Sequence, residues 1–337
     1  MDSLRAGEYI SNLSGKLEYK SYRPAKLPIE IEYDNELEDL IKKAYEKLEK
    51  LNELEIDIVL EGQIIKKEVF FSTKIESEKT NDDIFDKHYV QAIRYAIQRI
   101  KTFPLSNRLI QEINAVLLNN KKYSGEFRKS QNWVGDAKST IKTAIYIPPN
   151  AFDMTEAMNN LEIYINDEEL KEDNLVKLAL IHYQLDAINP FVEGNSKIVR
   201  MISTLFLIDK KIITNFCIPF SYYIDREITQ YYGRMRMIKE TGDFEQFIKF
   251  FIRMLINAID ETLDTVKTIS KIKEKNMKII EEDEALKRAY RRFEKELVIK
   301  SDETDEIKKL EELGIIKKLD ENMYSLENYM DELKIWL

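Results

Sequence analysis

The chain has 337 residues, of which 52 are basic and 61 acidic, so its net charge is −9. Glycine and proline together make up only about 5% of the residues, against roughly 12% in an average protein. So few turn-forming residues argue against an all-β or glycine-rich α/β protein and favour a mainly α fold. The acidic balance argues against nucleic acid or an anionic membrane as a partner, so no DNA binding is expected.

Histidine and cysteine are scarce. His88 and His182 are the only two histidines, which nearly excludes a multi-histidine metal site. The single cysteine, Cys217, cannot form an internal disulfide and fits a reducing compartment. The first residues show no apolar signal-peptide region, and no long uncharged apolar segment follows. We therefore expect a cytoplasmic protein with no membrane segment, and the length predicts about two domains.

The apolar periodicity predicts helices along most of the chain. Residues 1–33 are predicted to be irregular, with alternation only over 16–20. A helix is predicted to open at Asn35, with Glu38 completing a capping box. Further helices are predicted over residues 60–76, 82–102, 106–119, 153–166, 174–188, 196–210, 225–239 and 243–280.

Two segments depart from this helical pattern. Residues 125–150 are non-helical, with a short hairpin predicted over 133–147, and form either a packed connector or a flap over a site. Residues 283–337 are predicted to form short helices and a small hairpin near 314–325, which is typical of a winged-helix-like module. The last 37 residues carry 11 acidic and 5 basic side chains, so this segment is expected to pack or bind a partner rather than DNA.

The clearest candidate site lies between two helices of the segment 173–211. From Ile198 to Ile208 the second helix carries one charge, Arg200, and is expected to be buried. A buried guanidinium needs a counter-charge, which either a carboxylate or a bound phosphate could supply. His182, on the first helix, is interpreted as a hydrogen-bonded core histidine.

The loop that precedes Arg200 suits an anion. Free N–H groups of a first helical turn bind phosphate, Gly194 permits close approach, and Lys197 adds charge. The alternative is that Asn195 or Ser196 merely caps the helix. Upstream, Glu76 ends another apolar-faced helix and, taken alone, is interpreted as a solvated residue.

Taken together, these segments resemble the Fic/Doc (Fido) family of AMP transferases, in the form with an N-terminal inhibitory helix. The family loop His-Pro-Phe-x-(Asp/Glu)-Gly-Asn-Gly-Arg-x-x-Arg is matched by NPFVEGNSKIVR at residues 189–200. KEVFFSTKIES resembles the inhibitory (Ser/Thr)-x-x-x-Glu-(Gly/Asn) motif, with Ser72 and Glu76 in place and Ser77 where Gly or Asn is usual. GEFRKSQNWVG, IYIPPN, SYYIDREITQYY and GDFEQFIKFFI follow the family order, and the match spans residues 20–255.

The resemblance implies a Fic-domain helical bundle with a β-hairpin flap and a winged-helix-like C-terminal segment. It also implies three divisions of the chain: residues 1–80 with the inhibitory helix, 81–280 as the Fic domain, and 283–337 as the winged-helix-like module. ATP, or another nucleotide, and Mg²⁺ are the implied cofactors. The flap over 133–147 is implied to dock a target or regulatory protein, and a homodimer is allowed.

The implied chemistry is transfer of AMP from ATP to a Ser, Thr or Tyr hydroxyl of a target protein. The implied roles are Asn189 at the position of the catalytic histidine, Glu193 on Mg²⁺, Gly194, Asn195 and Ser196 in the anion-binding turn, Lys197 and Arg200 on the outer phosphates, and Ser72 and Glu76 in inhibition. An amide cannot act as a base near neutral pH, so Asn189 predicts impaired transfer.

Three departures from the family loop leave three hypotheses. Besides Asn189, Ser196 replaces a glycine and Lys197 replaces an arginine, which loses the bidentate fork. The chain is then a nucleotide-binding pseudoenzyme, a transferase with divergent chemistry, or a non-catalytic interaction scaffold. His182, seven residues before Asn189, is not expected to replace the missing base.

Overall fold

The computed structural model describes residues 5–76, 85–119, 121–136 and 138–335, apart from the side chain of Ser14. The fold is mainly helical, as the composition predicts. The helices are α1 (Asn35–Asn52), α2 (Ile58–Ile75), α3 (Lys87–Ile100), α4 (Asn107–Leu117), α5 (Ala151–Asn166), α6 (Asn174–Ile188), α7 (Asn195–Asp209), α8 (Phe220–Arg226), α9 (Ile228–Thr241), α10 (Phe244–Ile279), α11 (Glu284–Glu296), α12 (Asp305–Glu312) and α13 (Tyr329–Glu332). The strands are β1 (Glu8–Ser14), β2 (Leu17–Arg23), β3 (Val298–Lys300), β4 (Ile316–Asp320) and β5 (Met323–Leu326).

Helices α6 and α7 form the centre of the molecule. Helix α6 contacts α5, α7 and α10, while α7 also contacts α3, α4 and α8. Every side chain from Ile198 to Leu207 is buried, which confirms the expectation drawn from the near absence of charge there. A helix that is apolar on all faces is most stable when neighbouring elements surround it and remove all of its apolar surface from water.

Several predicted boundaries move. The single helix expected over 225–239 is two helices, α8 and α9, which meet at Glu227. The N-cap of α1 is Asp34 rather than Asn35, and its carboxylate accepts from the Leu37 amide at 2.9 Å. Helix α3 begins at Lys87 after the cap Asp86; the predicted start at 82 lies outside the described residues.

The prediction of an irregular N-terminus is wrong, because β1 and β2 form an antiparallel hairpin there. Gly15, with φ of 61°, lies in the two-residue turn between the strands, a conformation that glycine adopts readily. The Tyr22 amide donates to the Ile147 carbonyl at 2.9 Å, and its hydroxyl is 2.9 Å from that of Tyr183 on α6. The hairpin therefore joins the end of the non-helical segment to the central helix.

The C-terminal segment packs against α2 and α10. Strands β3, β5 and β4 form an antiparallel sheet in that order, so the hairpin predicted near 314–325 is confirmed. The Tyr290 and Tyr329 hydroxyls pair at 3.0 Å in its core. Gln63 of α2 donates to the Glu294 carbonyl at 3.0 Å. The winged-helix assignment stays a prediction. In the part of the chain that the structure describes, no helix is both long and apolar enough to cross a membrane.

His182 is a core residue, as expected from the sequence. Its Nδ1 lies 2.7 Å from Ser203 Oγ and its Nε2 lies 2.7 Å from the Tyr231 hydroxyl. Burial, together with the charge of Arg200, lowers the pKa of His182 to about 3. The ring is therefore neutral in the folded protein at every pH near neutrality.

We expect His182 to make folding stability depend on pH. The unfolded chain binds a proton at His182 below a pKa of about 6.5, whereas the folded chain does so only near 3, so stability falls as pH falls through this window. Between pH 7 and 5 the wild type should lose about 2 kcal/mol of unfolding free energy more than a His182→Gln variant. Urea unfolding at both pH values measures this difference.

The exposed His88 provides the matched control. A His88→Gln variant should keep the wild-type pH dependence. An equal loss of stability in the wild type and in His182→Gln would show that His182 is protonated in the folded protein.

Candidate functional site

The loop from Asn189 to Gly194 connects α6 to α7 and leaves the start of α7 open. Gly194 is the N-cap residue, with φ of 81°, and no side chain among the described residues caps the helix. The alternative that Asn195 or Ser196 caps α7 is therefore wrong. A Cβ at Gly194 would lie 3.0 Å from Leu117 Cδ2, so this position requires glycine. Within the described ranges, the first amides of α7 thus have no capping side chain as acceptor, an arrangement that favours an anion.

Two buried amide side chains hold this loop in shape. Asn195 Oδ1 accepts from the Phe191 amide at 2.8 Å, and its Nδ2 donates to the Phe191 carbonyl at 2.9 Å. Asn114 Nδ2 donates to the Glu193 carbonyl at 3.1 Å, while its Oδ1 accepts from the Gly125 amide at 2.9 Å. Asn195 thus acts within the turn, and Asn114, which the sequence did not single out, ties the turn to α4.

The remaining loop residues lie closer to solvent. Glu193 is exposed and Ser196 is half-buried. Both lie beside the open start of α7, so a ligand there would meet a carboxylate and a hydroxyl as well as backbone amides.

Arg200, one turn into α7, is the charged centre of the site. Only 4% of its side chain is exposed. Its Nη2 donates to Ser72 Oγ at 2.6 Å and to Glu76 Oε1 at 2.8 Å. Burial opposes the charge, but the neighbouring Tyr89, Glu76 and Glu68 raise the pKa of Arg200 above its ordinary value. The structure thus brings Arg200 of the loop-and-helix motif into contact with Ser72 and Glu76 of the predicted inhibitory motif.

Glu68 is a second counter-charge that the sequence analysis missed. Its Oε1 lies 4.0 Å from Arg200 Nε, and its carboxylate accepts from the Ser221 amide at 2.8 Å and the Tyr89 hydroxyl at 3.1 Å. Burial raises the pKa of Glu68, against the opposing charge of Arg200. A spacing of four residues places three side chains on one face of α2, namely Glu68, Ser72 and Glu76. This spacing was the one feature of the sequence that could have identified Glu68 as a partner of Arg200.

Lys197 lies between two carboxylates. Its Nζ is 3.2 Å from Asp86 Oδ2 and 3.7 Å from Glu76 Oε2, and its side chain is nearly buried. The Tyr89 hydroxyl donates to the Lys197 carbonyl at 3.2 Å. Glu76 therefore neutralises both cations of α7 at once. Ser77, the next position of the predicted inhibitory motif, lies outside the described residues.

Asn189 takes the position at the start of the loop and uses its side chain as an acceptor. Its Oδ1 accepts from Asn132 Nδ2 at 2.9 Å and from Asn195 Nδ2 at 3.2 Å. Its φ of 50° is left-handed, a conformation that asparagine tolerates better than most residues. An amide oxygen with two donors has no basicity to offer a substrate proton.

Arg128, which the sequence analysis did not single out, joins the loop to the flap. Its guanidinium donates to the carbonyls of Asn189 at 2.8 Å, Pro149 at 2.6 Å and Ser130 at 3.1 Å. Burial lowers the pKa of Arg128 to about 10. Arg128 thus holds the end of α6 against both ends of the flap. In the sequence, only its place in the segment GEFRKSQNWVG indicated a role for it.

Among its described residues, the flap over 133–147 is closed by one antiparallel bridge, between Val134 and Tyr146. The Ile145 amide also donates to the Val134 carbonyl at 2.9 Å. Trp133 and Val134 are exposed, and Ile145 is 85% exposed. The flap therefore presents apolar side chains to solvent beside the loop, whereas His182 lies in the core away from it.

Comparison with known proteins gives a consistent result. The Fic/DOC family model matches residues 104–207. The protein adenylyltransferase Fic of Drosophila mojavensis is 30% identical over 141 residues, which are 42% of this chain and 24% of that protein. The Drosophila melanogaster protein of the same name is 29% identical over 141 residues, again 42% of this chain and 25% of that protein. The chain thus spans about a quarter of the length of these relatives.

Solved structures share the fold. A Fic family protein from Desulfovibrio desulfuricans G20 superposes with a TM-score of 0.57 at 14% identity, over 88% of this chain and 98% of that one. A Fic domain-containing signalling protein from Bacteroides thetaiotaomicron gives 0.51 at 16% identity, over 68% and 97%. Residues 104–207, which hold the loop and the helices around it, thus match the Fic/DOC family model, and the chain shares its fold with these two Fic proteins.

Proposed function

We propose that this protein binds a nucleotide at the start of α7, that Glu76 inhibits this binding, and that the chain lacks the base needed for AMP transfer. The observation that best supports this proposal is the hydrogen bond from Arg200 to Glu76, together with the absence of a side-chain cap, among the described residues, at the N-terminus of α7. The relatives named protein adenylyltransferase Fic supply the reaction class.

The phosphates would lie on the first turn of α7. Its amides and the positive end of its dipole attract negative charge, and Gly194 keeps the approach open. Lys197 and Arg200 would meet the outer phosphates once Glu76 is displaced. Both cations already lie on this side of α7, so no large rearrangement of the helix is needed.

The donors of this site fit a magnesium ion held jointly with phosphate. Among the described residues, no group of three or more acidic, histidine or cysteine side chains could hold a metal alone. Mg²⁺ commonly binds through one or two carboxylates together with substrate phosphates and water, and the exposed Glu193 beside the loop provides one. When bound, the ion would neutralise phosphate charge.

The missing step is proton removal. In AMP transfer, the target hydroxyl oxygen bonds to the α-phosphorus, pyrophosphate leaves, and the hydroxyl proton needs an acceptor. Asn189 cannot accept it, and His182 is buried with both ring nitrogens occupied. General base catalysis is worth about 10²–10⁴-fold, so the wild-type rate should be low by that factor.

The flap is the proposed docking site for a protein partner. Its exposed Trp133, Val134 and Ile145 could receive side chains of an extended segment that pairs with the flap edge. The same surface would also serve a non-catalytic scaffold, so nucleotide binding is the property that separates the two functions.

Removal of Glu76 should strengthen nucleotide binding. A hydrogen bond to a charged group is worth about 1.5–3 kcal/mol, so Glu76→Gly should bind ATP with Mg²⁺ about 10–150-fold more tightly than the wild type. Titration calorimetry measures both affinities. Glu76→Gln removes the negative charge without the extra backbone freedom of a glycine, so it tests the effect of the charge alone.

Lys74→Gln is the matched control, because Lys74 lies in the same last turn of α2 and pairs with Asp225 at 2.6 Å. It should bind ATP as the wild type does. Equal affinities in the wild type, Glu76→Gly and Glu76→Gln would contradict inhibition by Glu76, and no binding to any folded variant would favour the scaffold.

Restoring the base should restore transfer. In the Glu76→Gly background, Asn189→His should raise AMP incorporation from α-labelled ATP into the protein itself by about 10²–10⁴-fold. The left-handed backbone at this position accepts histidine as well as asparagine. Intact-mass measurement and label counting follow the product.

Asn189→Ala in the same background is the control and should stay as inactive as its parent. If the Asn189 parent already transfers AMP as fast as the histidine variant, the chain is a transferase with divergent chemistry.

A further inference from the structure

A cavity of about 690 Å³ lies along the first half of α2, between α2, α3 and β3. Its basic lining residues are Lys66, Lys87, Arg94, Lys295 and Lys300. The acidic lining consists of Glu296 alone among the described residues. We call this cavity the cationic groove. So strong a positive bias is unexpected in a chain whose net charge is −9.

Lys66 shows the imbalance most clearly. It is 8% exposed, and its Nζ donates to the Lys295 carbonyl at 2.5 Å. Burial lowers the pKa of Lys66 to about 8, with Glu296 and Arg94 acting in opposite directions. Within the described ranges, no carboxylate oxygen lies within 4.0 Å of Lys66 Nζ or of the Arg94 guanidinium. The adjacent Lys67, which is 3% exposed, pairs directly with Glu261.

The remaining wall of the groove is apolar. Val59, Phe85, Val90 and Met323 line it, and Ile58 at its rim is 83% exposed. A volume of this size is typical of small-molecule sites. Inorganic phosphate alone would leave the apolar wall in contact with water, whereas an anion with a carbon skeleton would cover it.

We propose that the cationic groove binds a small organic phosphate, with Lys66 and Arg94 on the phosphate and Phe85 and Val90 against its apolar body. A guanidinium and an ammonium that lack carboxylate partners are the groups that bind phosphate most strongly. The groove uses the first half of α2, whereas Ser72 lies near the end of that helix and Glu76 is its C-cap residue. This site is therefore separate from the one at the start of α7.

Pyridoxal 5′-phosphate is a suitable probe, because it carries a phosphate, an aromatic ring and an aldehyde. The neutral amine of a groove lysine would attack the aldehyde carbon, water would leave, and borohydride would deliver hydride to the imine carbon to give a stable secondary amine. At pH 8, a lysine whose pKa is near 8 is neutral far more often than an exposed lysine, so it reacts first.

With a limiting amount of probe, peptide mass spectrometry should find the label concentrated on Lys66, Lys295 and Lys300. Excess inorganic pyrophosphate should protect these lysines. Arg94→Gln should slow their labelling by about tenfold. Arg99→Gln is the matched control, since Arg99 lies on the same helix but pairs with Glu112, and it should label like the wild type.

Three results would overturn the proposal. The first is label spread evenly over exposed lysines without protection by pyrophosphate. The second is equal labelling rates in the wild type and in Arg94→Gln. The third is label concentrated on Lys197, which would assign the probe to the site at the start of α7.

Discussion

The charge of Arg200 is the constraint on which the site depends. A guanidinium inside an apolar helix cannot stay without a counter-charge, because an unpaired buried ion costs several kcal/mol. Glu68 and Glu76 meet this need in different ways. Glu68 is wholly buried and is fixed by Tyr89 and Ser221, so it is a permanent partner. Glu76 is 21% exposed and lies at the end of α2. In the proposed function it is the partner that a phosphate would replace, with Glu68 still compensating Arg200.

The loop keeps its shape without a catalytic histidine because other residues determine it. Asn195 satisfies both backbone groups of Phe191, and Arg128 binds the carbonyls at the end of α6 and at both ends of the flap. Asn189 adds one more link, from the loop to Asn132. A histidine at position 189 is therefore not required to keep this loop in shape. Asparagine there would remove the base of the proposed chemistry and leave the proposed phosphate-binding turn intact.

Sequence reasoning worked where one pattern determined the outcome. The apolar run around Arg200 predicted a buried helix and a counter-charge, whereas the loop residues left open whether Asn195 or Ser196 caps the start of α7. It failed where the outcome depended on residues distant in the chain. The hairpin over 8–23 is stabilised by contacts of Tyr22 with Ile147 and Tyr183, which no local pattern contains. Glu68 looked like any charged residue of an amphipathic helix, and only the position of Arg200, more than 130 residues later, gives it a role.

Helix α2 also limits how Glu76 can move. Along its length, Gln63 and Lys66 donate to carbonyls of the C-terminal segment, Lys67 pairs with Glu261, and Glu68 accepts from Ser221. A rigid shift of the helix would break all four buried contacts together, and each loss would leave a polar group unsatisfied. Glu76 is the C-cap residue, and its carboxylate reaches Arg200 from beyond the last full turn. Rotation of its side chain, or unwinding of that one turn, frees Arg200 and leaves the four contacts intact. The proposed exchange of Glu76 for a phosphate would therefore be a local event at the end of α2.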